Sequence, residues 1–174
     1  SYVIAIEEIA AVELATSTIM SVNNSLVCQV LNDFGNEEQK GKYLKSLASG
    51  KKLGAYCLSE SQSGSDASNI TTIAKKRGSD FFISGSKNWV TNGINSDILI
   101  VFCLTDAKLK KKGISAFIID KNTKGISLGK KEDKLGLRAS DTCQIFFDRC
   151  RVSSKNLLKK EGEGLKIALN TLSG

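Results

Sequence analysis

Cys57-Leu58-Ser59-Glu60-Ser61-Gln62-Ser63-Gly64-Ser65-Asp66-Ala67 and, further along, Lys87-Asn88-Trp89-Val90-Thr91-Asn92-Gly93 are the two stretches on which the reading of this chain turns. The first is a run of small polar residues with a glycine and two carboxylates, a composition that turns backbone N–H groups toward an anionic ligand. The second sets an indole two residues before a hydroxyl in an extended segment, which together offer a ring face and a hydrogen bond to a planar heterocycle. Each residue also has a plainer use. Trp89 alone reads as a core or sheet-packing aromatic and Thr91 as a β-favouring residue, while Ser59 and Ser65 can satisfy turn backbone and Asp66 can cap a turn. Chemistry alone stops at an anion and a flat ring.

Around these stretches the texture changes once. Residues 2 to about 50 read as helical: Ile6, Ile9, Ala10 and Leu14 recur at helical spacing, Thr16 to Thr18 suit a break, and Leu26, Val30, Leu31 and Phe34 resume the pattern. Gly35 is expected as a left-handed stop, Asn36 with Gln39 as a capping box, and Gly50 as the end of the helix that follows. From Leu53 onward, short β-rich runs at 53–58, 70–77, 81–84, 97–105, 114–120, 126–130 and 142–147 alternate with turns at Gly78-Ser79-Asp80, Asn92-Gly93, Gly113 and Gly125. No helical crossover separates them, which argues against a Rossmann domain. The expected architecture is α+β and multidomain: a helical segment at 1–52, a central antiparallel β-barrel or sandwich at 53–160, and the start of a further helical bundle at 161–174. A helix begun near Gly164 and stopped at Gly174 suggests a piece of a longer chain.

With 174 residues, 41% apolar and 25% charged, the chain has ordinary globular composition. It carries no basic leader and no apolar run of about 18 residues, so it reads as soluble, with no transmembrane or targeting segment. The formal charge of +7 reads as a lysine-rich solvated surface rather than a nucleic-acid interface, because no DNA- or RNA-binding motif accompanies it; a ligand with several phosphates would still feel it. Histidine is absent, which excludes Ser-His-Asp and Cys-His catalysis and His-ligated metal sites. Five cysteines without a CxxC pair favour a reducing compartment, and no metal site is expected.

With helix layer, β-domain and interrupted helix in that order, the whole chain resembles a central slice of an acyl-CoA dehydrogenase. The family signature is a small residue, an aliphatic, Ser or Thr, Glu, a turn, and Gly-Ser/Thr-Asp; Cys57, Leu58, Ser59, Glu60, Gly64, Ser65 and Asp66 fit it. Asn23-Asn24-Ser25-Leu26, Gly85-Ser86-Lys87 before Trp89-Val90-Thr91-Asn92, and Lys112-Gly113-Ile114-Ser115-Ala116-Phe117 also match. Gly129-Lys130-Lys131-Glu132-Asp133-Lys134-Leu135-Gly136 looks most like the short-chain, butyryl-CoA-type members. Ser61 stands where the family usually has Pro, and Asn69 where it has a small residue; the loop is still expected to form, at some entropic cost.

The resemblance implies FAD as cofactor. Tyr56, Leu58 and Ser59 correspond to positions lining the isoalloxazine ring, with backbone N–H groups and the Ser59 hydroxyl at its pyrimidine edge. Trp89, Val90 and Thr91 correspond to the second flavin segment, Thr91 near N5 and Trp89 on the side where an electron acceptor docks. Ser65 corresponds to an acyl-CoA contact, and Met20 to Leu26 to the segment bounding acyl length. Glu60 is read as structural. No catalytic residue lies in this chain: the family's base and the arginines for the FAD diphosphate fall beyond Gly174, so the 174 residues alone are expected to be inactive and to retain FAD weakly. The implied reaction is α,β-dehydrogenation of a short-chain acyl-CoA to a trans-2-enoyl-CoA in fatty-acid or branched amino-acid oxidation. The complete protein would be a homotetramer passing electrons to an electron-transfer flavoprotein, in the mitochondrial matrix or the bacterial cytoplasm. An oxygen-using acyl-CoA oxidase and a noncatalytic assembly module of the same fold are the alternatives, with a basic nucleic-acid binder behind them.

Overall fold

The structure, a computed structural model, describes residues 1–173. Helix α1 (Tyr2–Val12) ends at Glu13, whose extended backbone and carboxylate start α2 (Leu14–Ser21) by accepting the Ala15 and Thr16 N–H groups. The break expected at Thr16 to Thr18 therefore falls earlier: a carboxylate takes the cap, and the Ser17 and Thr18 hydroxyls bond back to the Leu14 carbonyl instead. From Leu14 the rod continues through a π-helical stretch (Val22–Cys28) into α3 (Gln29–Phe34), with Val22 and Gln29 both keeping right-handed helical angles. Gly35 closes it in an extended conformation (φ −69°, ψ 147°), not the left-handed one expected; glycine is needed because a Cβ there would collide with the Leu31 carbonyl oxygen. The Asn36–Gln39 capping box forms with both reciprocal bonds and opens α4 (Glu37–Gln39), followed by π-helical Lys40–Leu44 and α5 (Lys45–Ala48).

Among the described residues seven strands follow: β1 (Gly54–Cys57), β2 (Ile73–Arg77), β3 (Asp80–Thr91), β4 (Ile98–Leu104), β5 (Ile114–Asp120), β6 (Ile126–Leu128) and β7 (Thr142–Ser153). Their order is β1-β4-β2-β3-β7-β6, with β5 also on β4. The expected antiparallel barrel or sandwich is found as a mixed, curled sheet, because β4 runs parallel to β1 and, at its own end, to the first residue of β2. The return that makes β1 and β4 parallel passes through the β2–β3 hairpin rather than a helix, so the run of short strands does not announce it. β3 and β7 outrun their expected ends because bulges after Ile83 and after Lys87 absorb irregular register and let the pairing continue.

β4 is apolar on both sides and divides the core. Ile98, Ile100 and Phe102 pack with Val27, Leu31, Tyr43 and Leu47 of the helix layer and with Ile167 and Ala168 of α6 (Gly164–Ser173). Leu99, Val101 and Cys103 face the sheet interior with Phe81, Ile83, Phe117 and Ile145. The two faces alternate with period 2, as the pleat requires. Two groups bind the helix layer to β1. Asn23 accepts the Gly54 N–H (2.9 Å) and donates to the Leu47 carbonyl (3.2 Å). At Gly54 the backbone comes so close that a Cβ would sit 2.5 Å from a Val27 methyl.

All five cysteines are free, and burial raises every thiol: Cys103 to about 12, Cys143 and Cys150 to about 11. Among the described residues no group of side chains could hold a metal ion, and no helix is long and apolar enough to cross a membrane. Gly174, the expected stop of α6, lies outside the described residues.

Candidate functional site

The two stretches that opened the sequence lie side by side. After β1 the chain turns outward, and the Ser59 carbonyl accepts the Asn88 N–H at 2.8 Å. One residue earlier, the Leu58 carbonyl accepts the Lys87 ammonium at 3.0 Å. Lys87 also pairs with Glu60 at 2.7 Å, both side chains buried. Glu60 is fully occupied: its two oxygens accept from Lys87, the Thr71 N–H (2.7 Å) and hydroxyl (2.8 Å), the Thr72 N–H (3.1 Å) and Gln62 (2.7 Å). Burial pushes its carboxyl up, but the Lys87 ammonium and these hydrogen bonds prevail and bring it down to about 2. With both oxygens occupied within the chain, it serves as an ionised anchor of the loop.

The loop it anchors is closed without proline: Glu60 and Ser63 exchange backbone hydrogen bonds across Ser61-Gln62 (2.9 and 3.1 Å). Ser63 donates to the Asp66 carbonyl, and Asp66 accepts the Ser68 hydroxyl and N–H, which hold its carboxyl below the usual range. Asp66 thus caps a turn. Ser65 is left exposed at the tip.

On the facing segment, Trp89 has φ 59° at the second bulge of β3 and is 64% exposed, while Lys87 and Val90 on either side are buried. The left-handed residue breaks the strand's alternation and throws the indole outward, so the core-aromatic reading of Trp89 does not hold. Val90 directs its side chain into the sheet interior, and only its main chain can reach a ligand. Thr91, half-buried, pairs with Thr142 at the end of β3. Asn92 (φ 65°) then ties the turn to β1 by donating to the Gly54 carbonyl at 3.1 Å.

Tyr56 and Leu58 share a face of the β1 segment and pack on the helix-side core; the Tyr56 ring lies 5.0 Å from Phe102. The Tyr56 hydroxyl is buried with no partner among the described residues, and burial raises its pKa well above the ordinary phenol value. The structure therefore sets Ser59 next to the segment that carries the exposed Trp89, with Thr91 two residues further along β3, while Tyr56 and Leu58 pack on the helix-side core.

Two features escaped the sequence. Lys87 occupies an inward strand position, where a lysine is seldom placed. Asp141, also buried, organises the turn after β3 by accepting the Ile94 N–H (2.6 Å) and the Asn95 amide (3.0 Å). The lysine run, read as a solvated surface, does remain exposed, yet Lys110, Lys111 and Lys112 also line a groove of about 590 Å³ whose other side is Asp66, Ser68 and Asn69.

Residues 55–150 match the family model described as acyl-CoA dehydrogenase, middle domain, and residues 1–51 the N-terminal domain. A short-chain specific acyl-CoA dehydrogenase of Clostridium acetobutylicum is 46% identical over 174 residues, all of this chain and 46% of its own length. The solved butyryl-CoA dehydrogenase of Megasphaera elsdenii superposes with a TM-score of 0.97 at 42% identity, over 98% of this chain and 45% of that one. A chain from structural work on the electron transferring flavoprotein of Acidaminococcus fermentans gives 0.96 at 44% identity, again over 98% and 45%. This chain spans about half the length of the curated relatives it matches. With the middle-domain match alone covering more than half of its residues, the chain belongs to the acyl-CoA dehydrogenase family.

Proposed function

We propose that this chain carries the flavin-facing wall of a short-chain acyl-CoA dehydrogenase that binds FAD and desaturates acyl-CoA thioesters. The observation that carries this reading is the direct bond between the two loops, Ser59 carbonyl to Asn88 N–H at 2.8 Å, which sets Ser59 beside an outward-facing Trp89. When bound, FAD supplies the acceptor for a hydride from the β-carbon, while a base from outside residues 1–174 takes the α-proton and leaves a trans-2-enoyl thioester.

The chain's own residues would bind and orient. Ser59 offers its N–H and hydroxyl to the pyrimidine edge, Thr91 its hydroxyl to the central ring, and Val90 its main chain; Tyr56 and Leu58 keep water from the lining. Trp89 covers the outer flank, where an electron-transfer flavoprotein would approach. Ser65, exposed beside Asp66, suits a contact near the thioester, and the groove lined by Lys110, Lys111 and Lys112 suits the phosphates of CoA.

The full-length protein is expected to purify with a flavin absorbance band that butyryl-CoA bleaches anaerobically, and to reduce an artificial electron acceptor with that substrate. A colourless and inactive full-length protein would overturn the proposal.

A further inference from the structure

Lys87 is buried to 0% exposure and bonds two oxygens, the Glu60 carboxylate and the Leu58 carbonyl. Glu60 alone neutralises it. The bond to Leu58 is therefore additional, and it falls on one particular peptide group: the Leu58 carbonyl shares its amide with the Ser59 N–H. A full positive charge on a carbonyl oxygen in a dry interior draws electron density through the amide and makes the N–H at its other end a stronger donor. Among the described residues that N–H has no acceptor in the chain, while the next carbonyl, of Ser59, is pinned by Asn88 at 2.8 Å. Bonds on both sides thus fix the direction in which the Ser59 N–H points.

We propose that Lys87 is a positioning residue for the redox step: it holds and polarises the Leu58–Ser59 peptide so that the Ser59 N–H favours the ring after it has taken up electrons. This rests on the flavin reading above. A hydride brings two electrons and one proton, the substrate's α-proton goes to the base, and the ring is left with one negative charge that reaches its pyrimidine edge. A donor strengthened by Lys87 binds that charged form more tightly than the neutral one. Glu60 keeps Lys87 in place and leaves the pair neutral, so the effect runs through the peptide and not through net charge.

The test uses the full-length protein with Glu60→Gln/Lys87→Met, which removes both charges and leaves no buried ion unpaired, and Glu60→Gln/Lys87→Gln, which keeps neutral hydrogen-bonding groups should the first variant fold poorly. Flavin midpoint potential and the Ser59 amide proton shift are measured in each. Both variants are expected to bind the reduced ring at least tenfold less tightly relative to the oxidised one, a fall of about 30 mV for a two-electron couple, with the Ser59 amide proton moving upfield. A folded, flavin-loaded variant with the parent potential and an unmoved Ser59 amide overturns the role of Lys87 and leaves the flavin site standing. A parent protein without flavin overturns both.

Discussion

Glu60 takes five hydrogen bonds while Lys87 beside it has no exposure to solvent, and the consequence for stability is specific. Its carboxyl, ordinarily near 4.5, is held to about 2, so the ionised form stabilises the fold fully above 4.5 and loses that contribution as pH falls toward 2. Glu60→Gln should cost about 3–5 kcal/mol at neutral pH, since Lys87 is left buried without its partner. In urea unfolding, the gap between parent and variant should be widest near neutrality and narrow between pH 4.5 and pH 2. A gap of equal width at both ends would contradict the assignment. The structural role of Glu60 was legible only through the family resemblance, whereas the turn at Asp66 was legible from its own loop. The partner of Glu60 was not, because a lysine at an inward position of β3 contradicts the ordinary surface preference of lysine and nothing local signals the exception. Trp89 is similar. Its outward throw depends on a left-handed backbone in a bulge, which no residue type at that position announces.

Among the elements, the Asn36–Gln39 capping box was legible because it is written in four residues, whereas the Glu13 cap of α2 was not, because Thr16 to Thr18 offered hydroxyls that compete for the same break. The π-helical stretches were not, since a shift from one hydrogen-bonding step to the next leaves apolar spacing almost unchanged. Contact between elements separates two glycines that look alike in sequence. A Cβ at Gly54 would strike Val27 of the helix layer, whereas one at Gly41 meets nothing within 4 Å. Gly54→Ala should therefore destabilise by about 1–3 kcal/mol, and Gly41→Ala, in a helical turn, should be neutral or stabilising by up to about 1 kcal/mol. Chemical denaturation of the two variants checks this; equal effects would mean that β1 does not press on the helix layer as described.

For the whole molecule, the order of helix layer, strand-built domain and second helix was legible from periodicity and turn residues, whereas the parallel seam at β4 was not, because pairing between distant strands has no local mark. Apolar side chains remain uncovered at Val3, Ile4 and Val12 of α1 and at Leu169 and Leu172 of α6. On the proposed reading, Ser59, Trp89 and Thr91 would meet one side of the flavin ring and offer little to a diphosphate. Residues 1–174 alone are accordingly expected to lose FAD on dialysis while the full-length protein keeps it, and a flavin band that persists in the 174-residue chain would contradict this. The twofold burial of β4 has a last consequence. A strand with no wet side is common property of the two apolar layers it separates, so neither can melt while the other stays dry. Helices and sheet are thereby bound into one cooperative unit, and the loops that carry Ser59 and Trp89 inherit the rigidity of that unit without spending any of their own residues on it.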